Sequence, residues 1–167
     1  QDPTPRIAGA KEFMRKIYPI PESGLKYSLS PVLTCRISLN YSEGGDVLLD
    51  ALGQRRMNSA PRPGHIFGWL PYGGYTFAAG FATLPGFTAW GWDSDFWRLI
   101  LAHEIGHNKG LMHDAGRTGG SHWFDVYERK IKPPYENQQL LGMMQPGAEG
   151  GESAYWISPT SYRFLMG

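Results

Sequence analysis

The sequence predicts an α+β fold in one domain, α/β/α-like, and three observations carry the prediction. Helical periodicity recurs near the start, the middle and the end of the chain. Short runs of alternating or β-prone residues, separated by Gly/Pro turns, lie between the first helical stretch and residue 92. Beyond residue 114 the chain becomes glycine-rich and aperiodic until a last capped helix. The length of 167 residues is enough for one buried core.

Thr4-Pro5 reads as an N-cap with proline at the first helical position, and Ile7, Ala10, Phe13 or Met14, and Ile17 follow at helical spacing. Pro19 and Pro21 end that helix. Leu25, Tyr27 and Leu29 alternate with Lys26 and Ser28, predicting a half-buried strand, and Cys35, Ile37 and Leu39 predict a second over 35–41. Gly44-Gly45 reads as a break, and Asp46 as the cap of a helix to about Met57 with Val47, Leu48, Ala51 and Leu52 buried. Arg55 and Arg56 then face the negative end of its dipole. His65 to Leu70 is a predicted strand, with His65 structural or solvated. Tyr72-Gly73-Gly74 turns the chain into a strand over 75–83, Pro85-Gly86 turns it again, and Phe87 to Trp92 returns. Asp93, Ser94 and Asp95 offer a cap for a helix whose apolar face is Phe96, Leu99, Ile100 and Ala102.

That helix runs into His103-Glu104-Ile105-Gly106-His107-Asn108-Lys109-Gly110-Leu111-Met112-His113-Asp114, the pattern HExxHxxGxxHD. Helix positions four apart differ by about 40°, so His103 and His107 can point two imidazoles at one ion. Glu104 sits beside the first of them. Gly110 tolerates the left-handed conformation that ends many helices, after which His113 can swing back as a third ligand. Three nitrogens plus a water make the open arrangement of a catalytic zinc site. A bare HExxH arises by chance, but five residues at fixed offsets do not do so readily. Gly106 is costly inside a helix, which suggests close packing.

These residues resemble the signature of the metzincin clan of zinc endopeptidases, and Asp114 after the third histidine is most similar to the adamalysin (reprolysin) branch. The resemblance implies a twisted mixed β-sheet with a long active-site helix, an upper subdomain of about 1–110, an irregular lower subdomain of about 111–167, and a C-terminal helix. It implies one Zn²⁺ held by His103, His107 and His113, with Glu104 as general base and Asp114 orienting the turn. Metzincins present an edge strand to an extended substrate, and Gly80, Phe81, Ala82 and Thr83 are the candidates here. A glycine bulge in an ordinary strand is the plainer reading. They also carry a methionine turn under the histidines. Met144-Gln145-Pro146 resembles it, with Met143 as the alternative if the register shifts by one. Met144 lies roughly thirty positions past His113, long for the clan. Tyr155 is similarly placed to a tyrosine that some members use near the oxyanion.

The remaining lower half offers less. His122 and Asp125 could bind a second ion or sit in solvent, and solvent is the expectation. Val126 to Ile131 suggests one helical turn before Pro133-Pro134. Ser158-Pro159 begins a C-terminal helix with Tyr162 and Leu165 or Met166 inward. Six Trp could pack the core or line a cleft.

Composition narrows the function further. A net charge of +1 predicts no nucleic-acid or anionic-membrane partner, and no apolar run reaches the ~20 residues of a membrane span. Cys35 is the single cysteine, so no internal disulfide forms; animal adamalysin-like domains carry several, and a prokaryotic-type single-domain relative fits better. The first residue is Gln, without a signal-peptide pattern, as expected after removal of a leader or pro-segment or in a domain cut from a longer chain. The resemblance implies a secreted monomer acting on polypeptide or glycoprotein. Calcium is compatible with such a domain, but nothing in the sequence indicates it. The competing classes are a non-catalytic zinc-stabilised binding module, which would not need Glu104, and a zinc hydrolase of small amides, which would want a closed pocket.

Overall fold

A computed structural model describes residues 4–71, 77–113, 123–132, 141–144 and 155–167. It is a mixed α+β structure with four helices and a three-stranded sheet among the described residues. Contacts divide the chain into two compact units, 1–29 with 112–167, and 30–111. None of the described helices is long and apolar enough to cross a membrane.

The unit 30–111 holds the sheet. Helix α2, Ser42–Met57, comes first, then β1 (Ile66–Leu70), β2 (Gly80–Ala82), β3 (Thr88–Trp92) and α3 (Trp97–Asn108). The order is β1-β3-β2, with β1 parallel and β2 antiparallel to the central β3. Side chains alternate across a strand, so the two faces bury different helices. Trp90 and Phe81 face α2, where Leu48, Leu49, Leu52 and Trp90 form the core cluster. Gly68, opposite Trp90, leaves room for Leu52: a Cβ there would lie 3.0 Å from Leu52 Cδ1. The other face carries Gly80 directly opposite Gly91. A Cβ on either would press on Ile100 Cγ2, at 2.8 and 2.5 Å, so the two bare positions let α3 lie close on the sheet.

Several expectations need correction. Gly44-Gly45 does not break the chain; α2 starts at Ser42, with Tyr41 as an N-cap that makes no side-chain bond. The stripe that packs on Trp90 is Leu48, Leu49 and Leu52, and Val47 is left 52% exposed. Neither 25–29 nor 35–41 forms a strand. Alternation alone does not supply a ladder partner, and Pro31 nearby has no N–H to donate. Cys35, Ile37 and Leu39 nevertheless pack on the core cluster from one side of an extended segment. The predicted strand 75–83 contracts to Gly80–Ala82, while Tyr72, Gly73, Gly74, Tyr75 and Thr76 lie outside the described residues. Ser94 caps a turn ahead of α3: its Oγ accepts from Phe96 N at 3.2 Å, and α3 itself begins at Trp97.

The other unit is built from α1, Thr4–Ile17, which buries Ala10, Met14 and Ile17, and from short elements after residue 112. β4 (Trp123–Asp125) and β5 (Lys130–Lys132) form an antiparallel hairpin where one helical turn is expected. Its connection is closed by Asp125, whose Oδ1 accepts from Glu128 N at 2.9 Å, and by Arg129 at a φ of 54°. Asp125 is fully buried, not in solvent; His122 lies outside the described residues. β6 (Leu141–Gly142) pairs in parallel with β7 (Tyr155–Trp156). Helix α4, Pro159–Met166, begins as the sequence predicts, with Ser158 Oγ accepting from Ser161 N at 3.0 Å.

Candidate metal centre

Helix α3 carries His103, Glu104 and His107, with Leu99, Leu101, Ala102 and Ile105 buried around them. Its C-terminus is a Schellman motif. Gly110 N–H donates to His107 O at 2.8 Å, and Leu111 N–H donates to Gly106 O at 3.0 Å. Gly110 has a φ of 92°, which a side chain would strain. Leu111 is buried, as the hydrophobic contact of that motif requires.

The turn does more than end the helix. It brings Leu111 O to 2.8 Å from His107 Nδ1. A carbonyl only accepts, so Nδ1 carries the proton and Nε2 holds the lone pair. His107 Nε2 lies 3.1 Å from His103 Nε2, with the rings nearly perpendicular at 83°. Two imidazoles on one tetrahedral zinc at 2.0–2.1 Å would hold their nitrogens about 3.3 Å apart. The spacing of this pair therefore fits a shared ion. The continuous segment 103–113 completes the group: ligand atoms of His103, His107 and the exposed His113 all lie within 4.8 Å of one another. These three histidines are close enough to hold a metal ion.

Glu104 is 6% exposed and follows the first histidine on the helix side that meets β2. A Cβ on Gly80 would lie 2.6 Å from Glu104 Oε1, so the carboxyl rests against the bare edge of the strand. Burial pushes its pKa up to about 8. A buried acid that holds its proton so firmly is a competent proton acceptor once ionised.

β2 is one edge of the described sheet, β1 the other. Ala79 O accepts from Trp92 N at 3.1 Å, Thr83 N donates to Thr88 O at 3.0 Å, and Phe81 stands opposite Trp90. Residues 79, 81 and 83 thus face β3, and antiparallel alternation turns the N–H and C=O of Gly80 and Ala82 to the outer edge. No strand among the described residues pairs with that edge. Of the four candidate edge residues, Gly80, Phe81 and Ala82 form the strand. Thr83 instead turns its polar groups inward: its carbonyl accepts from Asn108 Nδ2 at 2.9 Å, and Oγ1 lies 3.3 Å from Thr88 O.

Met143 and Met144 are both fully buried in a turn after β6; Gln145, Pro146 and Asp114 lie outside the described residues. Tyr155 is in β7, and its side chain is outside the described positions. Asn108, absent from the sequence-based candidates, is 4% exposed and bonds Thr83, Thr88 and His65. Its only sequence signal was an amide, a poor helix former, on the helix right after the second histidine. His65 is half-buried against Phe87, and its pKa is lowered by burial and by the charges of Lys109 and Arg56, against the Asn108 bond.

Compared with known proteins, the chain matches no family model and no curated protein.

Proposed function

We infer that the chain is a zinc-dependent endopeptidase of the adamalysin-like metzincin type, hydrolysing peptide bonds of proteins or glycoproteins. One observation carries the reading: two imidazole nitrogens 3.1 Å apart, one oriented through its far nitrogen by Leu111 O, with a buried glutamate between them in sequence. Neutral nitrogen donors of this kind suit zinc, and the carbonyl behind His107 is the outer partner such ligands use. His113 supplies the third nitrogen.

When bound, zinc supplies a Lewis acid that polarises the scissile carbonyl and acidifies water. Glu104 accepts the water proton and passes it to the leaving amine. The raised pKa of Glu104 favours the first half of that transfer, acceptance of the proton. An extended peptide pairs with the outward N–H and C=O groups of Gly80 and Ala82, and side-chain bulk is excluded where Gly80 meets Glu104. Met144, or Met143, is the turn methionine of this reading, Tyr155 the candidate oxyanion donor and Asp114 an orienting residue. Secretion, a monomeric state and the metzincin topology follow from the same resemblance.

The test is hydrolysis of casein, gelatin and a mucin by the zinc-loaded protein, by protein stripped with a chelator, and by stripped protein given zinc again. Cleavage should vanish with the metal and return with it. A protein that binds one zinc and cleaves none of these would instead be a zinc-stabilised binding module. Cleavage that persists after complete metal removal would exclude the three-histidine mechanism.

A further inference from the structure

Asn108 ties three points of the β2–β3 connection to the end of α3. Its Nδ2 donates to the main-chain oxygens of Thr83 and Thr88, each at 2.9 Å, and lies 3.3 Å from Thr83 Oγ1. Its own main-chain oxygen accepts from Gly86 N–H at 3.0 Å. Thr83 follows β2 directly and Thr88 begins β3. With both amide hydrogens committed to carbonyls, Oδ1 must face the opposite way, where it lies 3.3 Å from His65 Nδ1. Oδ1 only accepts, so His65 is held with its proton on Nδ1. The His65 ring packs on Phe87, which belongs to the same connection, at 6.0 Å between centroids.

We propose that Asn108 is a positioning residue: its amide sets the register of the edge strand β2 against His103, Glu104 and His107, and His65 fixes the orientation of that amide. This rests on the peptidase reading, because the register matters only if a peptide lies along β2. The chemistry demands an amide. Two N–H groups fan out to two carbonyl oxygens, and no other side chain of this size offers them. An aspartate would place a charged acceptor against two acceptors; an alanine would leave Thr83 O, part-buried beside α3, without the amide donor. Asn108 adjoins His107 in sequence, so any slip of the connection is a slip of the edge relative to the histidine pair.

The test compares zinc-loaded wild type with Asn108→Ala, Asn108→Asp, His65→Phe and His65→Gln. Four quantities are read: kcat and KM on a long extended peptide and on a short one, the zinc dissociation constant by chelator competition, and amide hydrogen exchange at Phe81, Thr83 and Gly86. Asn108→Ala should keep the wild-type zinc affinity. Its kcat/KM on the long peptide should fall roughly 10- to 100-fold, the scale of an ångström-level misplacement, and fall less on the short one. Exchange at Thr83 and Gly86 should rise. His65→Phe should share the defect in weaker form, and His65→Gln, which can still donate to Oδ1, should restore most of it. If Asn108→Asp fails to fold, the alanine variant and the His65 pair decide the matter. Wild-type kcat/KM in Asn108→Ala, or an equal loss on both peptides with unchanged exchange, would overturn the proposal. A wild type that cleaves neither peptide would defeat the peptidase reading instead, and unchanged exchange in the variants would then defeat the clamp itself.

Discussion

Glu104 is buried where α3 crosses β2, and Gly80 is the residue that makes space for it. Adding one methyl there places a carbon 2.6 Å from Oε1 and 2.8 Å from Ile100 Cγ2. The carboxylate end of Glu104 can move aside, but Ile100 Cγ2 sits on a stiff β-branched side chain, so Gly80→Ala also presses α3 away from the sheet. That variant should therefore melt below the wild-type temperature, keep its zinc while folded, and lose roughly 100-fold in kcat/KM, since the displaced group is the proposed base. Steady-state kinetics with metal analysis check it; wild-type turnover would mean that the contact between Gly80 and Glu104 has no catalytic weight. At this scale the sequence was legible where side chains carry the chemistry. His103, Glu104, His107 and His113 stand out by spacing alone. Leu111 O was not legible, because it is a main-chain atom and any residue there would provide it. Asn108 was hidden for a related reason: its partners are mostly carbonyls of residues some 20 to 25 positions away, which no local pattern reveals.

Helix α3 and its terminating turn act as one element. The Schellman motif at Gly106–Leu111 ends the helix, orients His107 and redirects the chain toward His113. All three effects depend on Gly110 at a φ of 92°. Gly110→Ala should cost about 1–2 kcal/mol of stability, the strain of the left-handed conformation, and should weaken zinc binding together with it. Gly110→Asn should cost less, because asparagine tolerates that region. Denaturant unfolding and zinc titration of both variants check this; an alanine variant as stable and as zinc-avid as wild type would show that the turn does not hold the ligand. The helices were readable because apolar periodicity and caps are local, as Ser158-Pro159 and the Ala10, Met14 and Ile17 stripe show. Strands were less so. Leu25, Tyr27 and Leu29 alternate without finding a partner, whereas the 123–132 hairpin forms in a stretch with a helical appearance, closed by Asp125 and Arg129. Pairing and turn closure are decided by contacts that periodicity does not encode.

At the scale of the molecule, a small mixed sheet buries α2 on one face and α3 on the other within the unit 30–111. The glycine pair Gly80 and Gly91 lies on the α3 face, where both meet Ile100. The fold class was legible because helix and strand stretches differ in period; the division into units was not, because it joins α1 to residues more than a hundred positions later. The reading of the whole molecule as a zinc peptidase rests on Glu104 acting as a base while the histidines hold the metal. Measuring zinc stoichiometry and peptide turnover in Glu104→Gln separates those two roles. The expected result is about one zinc per chain with turnover reduced at least ~10²-fold, the lower end of what a general base contributes. Wild-type turnover by that variant would contradict the mechanism, and loss of the zinc would contradict the assignment of the metal to the histidines alone.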